Sequence, residues 1–160
     1  MTHRCILPYN LEMKSAYDQI WESALRKLEV RMHSKAELTR KLTEKFSGDR
    51  GTILKVIEEM ERVQLLNDRL FTEEYVNHLI QKPIGRFKIM METRKRGLDR
   101  DMVEQALLDA GWSEEKAVKE AFEAKGRLLN EKDERKRKQK LVNFLKNRGF
   151  ADSSIYRIIN

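Results

Sequence analysis

Apolar residues recur along this chain every three or four positions, with almost no alternation of apolar and polar residues. Ile53, Val56, Ile57, Met60 and Val63 form one such stripe. A period near 3.6 is typical of a helix with one buried face, whereas a half-buried strand alternates with a period of 2. The pattern therefore predicts an all-α protein.

The stripes, together with the glycines near their ends, predict nine helices. We expect these helices over residues 18–33, 35–46, 51–64, 69–82, 84–97, 99–110, 113–126, 132–148 and 152–159. Ser34 and Ser113 are candidate N-caps, and Ser34 with Glu37 has the form of a capping box, in which each side chain accepts from the other residue's backbone amide. Residues 1 to about 16 lack the period, which predicts a loose arm.

One arrangement occurs three times: the basic end of a helix, a polar turn and a new apolar stripe. The corresponding positions Phe46, Gly97 and Gly149 are separated by 51 and 52 residues. Such a recurrence indicates tandem units of three helices, each too small to bury a sizeable core without its neighbours. We predict an arm over residues 1–17 and three-helix repeats over 18–66, 67–111 and 112–160, which stack into an elongated, curved array.

The composition adds a positive charge that is unevenly distributed. Lys and Arg number 33 against 26 Asp and Glu, which gives a net charge of +7. Residues 125–148 hold ten basic and three acidic residues, so this segment carries the whole excess. Such an excess favours an anionic partner, with nucleic acid first and a membrane surface second, although solvated helix faces would give the same composition.

Basic residues are concentrated in the second predicted helix of each unit. The candidate contact residues are Arg40, Lys41 and Lys45, then Arg86, Lys88, Arg94, Lys95 and Arg96, and finally Lys138, Lys140, Lys146 and Arg148. In the middle helix we expect Phe87 and Met91 on the apolar side. If the units stack, these helices form one basic strip that could bind along the phosphates of a polymer or in an acidic protein groove. The alternative is that the three helices are basic only because each is exposed to solvent.

Signatures of catalysis and of metal binding are missing from the sequence. No Gly-rich phosphate loop occurs, and Cys5 and three scattered histidines lack the spacing of metal ligands. No apolar run approaches the roughly 18 residues that a membrane span needs, and the first residues lack the apolar core of a secretory signal. We expect no enzymatic activity, no metal, no cofactor and a cytoplasmic location.

Five segments in order resemble the RecX family of RecA regulators, over about residues 18–160. They are 24–42, 65–76, 85–89, 95–98 and 144–150, and they include Ser34-Lys-Ala-Glu37-Leu38 and Leu65-Leu66-Asn67-Asp68-Arg69-Leu70-Phe71. The sequence departs from the family pattern at Phe46 and Ser47, where a glycine and an aromatic residue are usual. Thr93 also replaces a usual leucine, which predicts a smaller contact there.

The resemblance implies three tandem three-helix repeats in a protein that binds RecA–DNA filaments and modulates, mainly inhibits, RecA ATP hydrolysis and strand exchange. The setting would be bacterial DNA repair and the SOS response in the cytoplasm, without a catalytic site or cofactor. Single- and double-stranded DNA would be weak, electrostatic partners of a monomer. Asp68 and Phe71 match the family signature, and we interpret them as a helix start and a core residue. The alternatives are a helical protein that binds DNA directly without RecA and a helical scaffold for another protein.

Overall fold

The computed structural model describes residues 14–159, which fold into nine α-helices and no strand. The helices are α1 (Ala16–Val30), α2 (Lys35–Lys45), α3 (Arg50–Arg62), α4 (Asp68–Ile80), α5 (Arg86–Lys95), α6 (Arg100–Asp109), α7 (Glu114–Leu128), α8 (Glu134–Asn147) and α9 (Asp152–Ile159). The predicted all-α fold is confirmed, and each helix lies within a few residues of its expected range.

The first helix begins earlier than the sequence pattern indicates, because a capping box fixes its start. The Ser15 hydroxyl oxygen accepts from the Asp18 backbone amide at 3.2 Å, and the Asp18 carboxylate accepts from the Ser15 amide at 3.2 Å. Both orphan amides of the first turn are thereby satisfied. Ala16 and Tyr17, expected in the arm, therefore belong to α1, and residues 1–13 of the predicted arm lie outside the described residues.

The capping box expected at the start of α2 is only half present. The Ser34 hydroxyl oxygen accepts from the Glu37 amide at 3.1 Å, as expected of an N-cap. The Glu37 carboxylate does not return to the Ser34 amide; it accepts instead from the Arg31 guanidinium, which is a stronger, charge-assisted partner. At the start of α7, Ser113 accepts from the Lys116 amide at 3.5 Å, so this predicted N-cap is observed.

The helices pack in three consecutive triplets, and within each triplet every helix contacts the other two. Each triplet has its own apolar cluster of buried side chains; Leu42 and Ile57 lie in the first. Phe71 lies in the second cluster, as expected of a core residue, and Leu145 lies in the third. Trp112 packs against both the second and the third cluster and so joins these two triplets.

The second helices of the triplets meet end to end. The Ser34 hydroxyl at the start of α2 donates to the carbonyl oxygen of Arg96, which follows α5. In the corresponding place one triplet later, the Gly85 amide at the start of α5 donates to the carbonyl oxygen of Arg148, which follows α8, at 2.9 Å. A helix C terminus carries partial negative charge and an N terminus partial positive charge, so each junction brings opposite partial charges together. We call α8, α5 and α2, in this order, the helix row.

Two glycines allow the close approach at these junctions. Gly97 has φ of +70° and Gly149 has φ of +79°, which is the left-handed conformation that often ends a helix. A Cβ atom on Gly97 would lie 2.5 Å from the Cβ of Ala36, and one on Gly149 would lie 2.5 Å from the backbone nitrogen of Lys88. Any larger residue would therefore separate the helices of the row.

A further bond joins the first two triplets beside the helix row. Asp68, the first residue of α4, accepts from the backbone amide of Lys35 at 2.7 Å through its carboxylate. Lys35 is the first residue of α2, so its amide has no partner within the helix and needs an external acceptor. Asp68 thus lies at the start of α4, as expected, and its carboxylate also accepts from a backbone amide at the start of α2.

Candidate nucleic-acid interface

The twelve basic residues predicted as contacts lie in the helix row or at its helix ends. Several of them pair with an acidic residue of the same helix: Arg40 lies 3.0 Å from Glu44, and Lys95 lies 3.0 Å from Glu92. Lys88 lies 3.7 Å from the same Glu92 carboxylate. The hydrogen bond from Lys95, with the charge of Lys88 adding to it, keeps the pKa of Glu92 below its ordinary value. Exposed pairs of this kind contribute little to stability.

The basic residues of α8 have similar partners at the surface. Lys140 lies 2.6 Å from Glu131, and its hydrogen bond lowers the pKa of that carboxyl. Lys146 lies 3.0 Å from Asp152, and the hydrogen bond between them raises the pKa of the lysine. The Arg148 guanidinium lies over the ring of Phe144, 5.0 Å from its centroid. Lys138 lies exposed on α8.

Arg86 and Arg94 flank a groove of about 530 Å³ between α5 and α6. Arg86 pairs with Glu104 of α6, whereas Arg94 forms no ion pair with another residue of the described range 14–159. Phe87 also lines this groove and is 67% exposed. The groove therefore presents positive charge and an aromatic ring side by side.

The expectation that Phe87 and Met91 form the apolar side of α5 is wrong. The buried residues of α5 are Ile89 and Thr93, four positions apart, while Phe87 and Met91 are exposed. Ile89 lies in the apolar cluster of the second triplet, so the face with Ile89 and Thr93 turns towards α4 and α6. The Phe87 amide donates to the Gly149 carbonyl oxygen at 3.1 Å at the junction with the third triplet. Thr93 is the smaller core residue that the sequence indicated, and its hydroxyl donates to the Ile89 carbonyl oxygen at 3.0 Å.

Lys41 and Arg96 are drawn together by a buried carboxylate, Glu37, which is 6% exposed. Its Oε1 atom lies 2.5 Å from a guanidinium nitrogen of Arg31, 3.0 Å from one of Arg96 and 3.6 Å from the Lys41 ammonium. The Arg96 guanidinium also lies over the Tyr75 ring, 5.4 Å from its centroid. These four charged side chains, Arg31, Glu37, Lys41 and Arg96, are called the Glu37 cluster below.

Three positive charges around one carboxylate determine its protonation state. Burial raises the pKa of Glu37, but the hydrogen bond from Arg31 and the charges of Arg31 and Arg96 outweigh burial and lower it from 4.5 to about 2. Glu37 is therefore ionised at neutral pH. The sequence pattern does not reveal this cluster because it depends on Arg96, which lies 59 residues from Glu37 along the chain.

Lys45, the last predicted contact of α2, also turns towards its own triplet. Its ammonium donates to the Ser23 hydroxyl of α1 at 3.1 Å and lies 5.2 Å from the centroid of the Phe46 ring. The structure thus brings Lys41 and Lys45 towards α1, and Lys41 and Arg96 to one carboxylate. Arg26 and Lys27 of α1 and Arg31, which directly follows α1, lie beside them and are not among the contacts predicted from the sequence.

Neither a metal cluster nor a membrane span occurs in the described part of the chain. Among residues 14–159, no three His, Cys, Asp or Glu side chains are grouped so that they could hold a metal ion. None of the described helices is both long and apolar enough to span a bilayer.

Comparison with known proteins connects this arrangement to a family. The family model described as RecX, second three-helix domain, matches residues 67–107, which contain α4, α5 and most of α6. The chain is 39% identical to the regulatory protein RecX of Pelodictyon phaeoclathratiforme over 128 residues, covering 79% of this chain and 78% of that protein. It is 35% identical to the regulatory protein RecX of Chlorobaculum tepidum, covering 81% and 79%.

Solved structures show the same fold. A crystal structure of a regulatory protein RecX superposes with a TM-score of 0.76 at 21% identity, over 89% of this chain and 72% of that one. The crystal structure of RecX from Lactobacillus salivarius gives a TM-score of 0.72 at 22% identity, over 89% and 94%. With relatives this similar along most of its length, the chain belongs to the RecX family of regulatory proteins.

Proposed function

We propose that this chain binds the filament that RecA forms on DNA and inhibits ATP hydrolysis and strand exchange by RecA. The observation that carries the proposal is the helix row, in which three helices rich in basic residues are joined end to end. A row of charged helices suits a long, regular, anionic partner better than a small ligand. Membership of a family of regulatory proteins supports a role without catalysis of its own.

The basic residues of the row differ in how they serve this role. Lys41 and Arg96 are engaged in the Glu37 cluster; Lys41 pairs with Glu37 of its own helix, and Arg96 links the second triplet to the first. Arg94, Lys95 and Lys138 lie exposed and are the residues we assign to contact with DNA phosphates or acidic side chains of RecA. Surface charges of this kind accelerate and orient association with a protein, and they supply the salt-dependent affinity for DNA phosphates.

The remaining parts of the proposal concern the setting. We place the protein in the cytoplasm as a monomer that acts in DNA repair and the SOS response. Its contact with bare single- and double-stranded DNA is weak and electrostatic, so it should weaken steeply as salt concentration rises. The division into repeats at residues 18–66, 67–111 and 112–160 belongs to this proposal, and the turns between the triplets lie near both boundaries.

ATP hydrolysis by RecA on single-stranded DNA tests the proposal. The purified chain, added to preformed filaments, should lower the steady-state rate of hydrolysis in a concentration-dependent manner. An unchanged rate at a chain concentration equal to that of RecA would overturn it. Sequence-specific nanomolar binding to duplex DNA in the absence of RecA would favour the direct DNA-binding alternative.

A further inference from the structure

A pocket of about 370 Å³ lies between α1 and α2, away from the groove of α5. Five basic side chains and no carboxylate line it: Arg26, Lys27, Arg31, Lys41 and Lys45. Two carboxylates pair with these side chains from outside the lining, Glu37 with Arg31 and Lys41, and Glu22 with Arg26 at 4.0 Å. The pocket therefore keeps an excess of about three positive charges, counted as five cations against two anions.

Two of the lysines are held at the walls of the pocket. The Lys41 ammonium lies 3.0 Å from Nε2 of His33, and its side chain is only 30% exposed. The Lys45 ammonium donates to the Ser23 hydroxyl at 3.1 Å. An ammonium has three donors, so each lysine keeps at least one for a ligand. Because these side chains are already ordered, a ligand would lose less conformational entropy on binding them.

His33 lines the pocket beside Arg31 and Lys41. Burial lowers its pKa; the bond to the Arg31 carbonyl and the charge of Glu37 oppose this effect, and the charges of Arg31 and Lys41 add to it. The ring is therefore neutral at neutral pH. Its Nδ1 atom lies 2.9 Å from the Arg31 carbonyl oxygen and donates to it, while Nε2 accepts from Lys41. An anion in the pocket would offset both cations and raise the pKa.

We propose that this pocket binds phosphate groups of a nucleic-acid strand. Phosphate oxygens accept charge-assisted hydrogen bonds from ammonium and guanidinium groups, and these are the donors that the pocket offers. The size of the pocket falls in the range of ligand sites, at the scale of a nucleotide rather than a long segment of chain. This inference adds a phosphate contact in the first triplet to the proposed function. It rests on the proposed function only for the assumption that the phosphate belongs to DNA.

Binding of fluorescent oligothymidylate to the full chain, measured against salt in the absence of RecA, tests the pocket. The test variant is Arg26→Gln with Lys27→Gln, since Lys27 forms no ion pair with a described residue and Arg26 only a 4.0 Å one. The slope of log affinity against log salt should become shallower by about 1.4 for two lost contacts to single-stranded DNA. The matched control is Arg50→Gln with Lys55→Gln, which removes two exposed charges from α3.

A test variant with the slope and affinity of the control variant would overturn the proposal. So would a loss of binding to phosphatidylserine-containing vesicles with oligothymidylate binding unchanged, because this would assign the pocket to a membrane surface. Circular dichroism and thermal unfolding of both variants confirm that folding is retained.

A second measurement follows the His33 ring by NMR during a titration with inorganic phosphate. The pKa of His33 should rise, while His78, which lies exposed on α4, serves as an internal control. Equal shifts of both rings, or none, would contradict a site in this pocket. Because neither experiment contains RecA, a failure here leaves the ATP hydrolysis test of the proposed function unaffected.

Discussion

Glu37 shows how a single buried carboxylate changes the role of the cations around it. The sequence places Lys41 and Arg96 in two predicted basic helices and indicates that both are surface charges. In the folded chain both approach Glu37, together with Arg31. A buried charge must be paired to be tolerated, and because Arg96 belongs to the second triplet, its pair with Glu37 contributes to the junction of the first two triplets.

Replacement of Glu37 should make this contribution measurable. Its pKa of about 2 in the folded chain, against 4.5, means that the carboxylate stabilises the fold above pH 4.5 and loses this effect as the pH falls towards 2. The shift corresponds to at most about 3–4 kcal/mol, and the partial exposure of the paired arginines reduces it. Glu37→Gln should therefore lower the free energy of unfolding at pH 7 by about 2–3 kcal/mol and by progressively less between pH 4.5 and 3, as measured by urea unfolding.

Glu44→Gln is the matched control, because Glu44 pairs with Arg40 on the exposed surface of the same helix. Loss of such a pair costs about 0–1 kcal/mol. A similar, pH-independent loss in both variants would contradict the role assigned to the Glu37 cluster.

The core of the first triplet gives a second prediction at the residue scale. Leu42 is completely buried, and Leu42→Ala should lower the free energy of unfolding by about 2–5 kcal/mol because it leaves a cavity. Leu108→Ala is the control, since Leu108 is 73% exposed on α6. Chemical unfolding of both variants measures the difference, and equal losses would show that the first core is not packed as described.

At the scale of the elements, the junctions of the helix row depend on backbone conformation. Gly149 combines a positive φ with close contact to Lys88, whereas Gly111 has a positive φ of +61° and a Cβ there would meet no atom within 4 Å. Gly85 shows the third combination, an ordinary φ with a Cβ that would overlap the Gly149 carbonyl. Substitution of these three glycines therefore distinguishes the cost of a positive φ from the cost of a steric overlap, because Gly111 has only the first, Gly85 only the second and Gly149 both.

Alanine substitution at these three glycines should lower the free energy of unfolding by different amounts. Gly111→Ala should cost about 1–2 kcal/mol from the left-handed conformation alone. Gly149→Ala should cost about 1–3 kcal/mol more than that, since a close-packed junction must open. Gly85→Ala should lower stability through contact without the cost in φ. Urea unfolding gives the order, and an equal effect of Gly149→Ala and Gly111→Ala would show that the junction is not closely packed.

The helices and cores could be predicted from the sequence, and the junctions could not. Local periodicity identifies core residues such as Ile53, Ile57 and Leu42, because they pack in a cluster formed by neighbouring helices of one triplet. The bond from Ser34 to Arg96 spans 62 residues, and no local pattern specifies it. The predicted orientation of α5 is wrong because this helix has apolar residues on two faces, Ile89 on one and Phe87 with Met91 on the other, and the packing of the whole triplet decides which face is buried.

At the scale of the whole molecule, the candidate contact surface divides into cations that bind a partner outside their own helix and cations that do not. The second helices are rich in basic residues, as the sequence indicates. The sequence does not reveal which of these side chains bind partners outside their own helix. Lys41, Lys45 and Arg96 have partners in their own or a neighbouring triplet. Arg94 and Lys95 remain at the surface of α5.

Charge reversal on α5 tests the surface that we assign to the filament. Arg94→Glu with Lys95→Glu should weaken inhibition of RecA ATP hydrolysis, because two cations become anions against an anionic partner, while thermal unfolding stays nearly unchanged. The variant with Lys116→Glu and Lys119→Glu carries the same change in net charge on α7 and should inhibit like the unmodified chain. Equal inhibition by both variants would show that α5 is not the contact.

The two ends of the helix row differ from its internal junctions. The residue after the C-cap is Ser47 at the end of α2, without the positive φ that Gly97 and Gly149 have in this place after α5 and α8, and before α8 the Asp133 carboxylate accepts from the Lys136 amide at 3.1 Å. The left-handed glycine that ends α5 and α8 at the internal junctions thus has no counterpart directly after the C-cap of α2. The consequence is a defined polarity: α8, α5 and α2 all run in the same direction, so their dipoles add along the row, and we expect a partner with a directional axis to bind in one sense only.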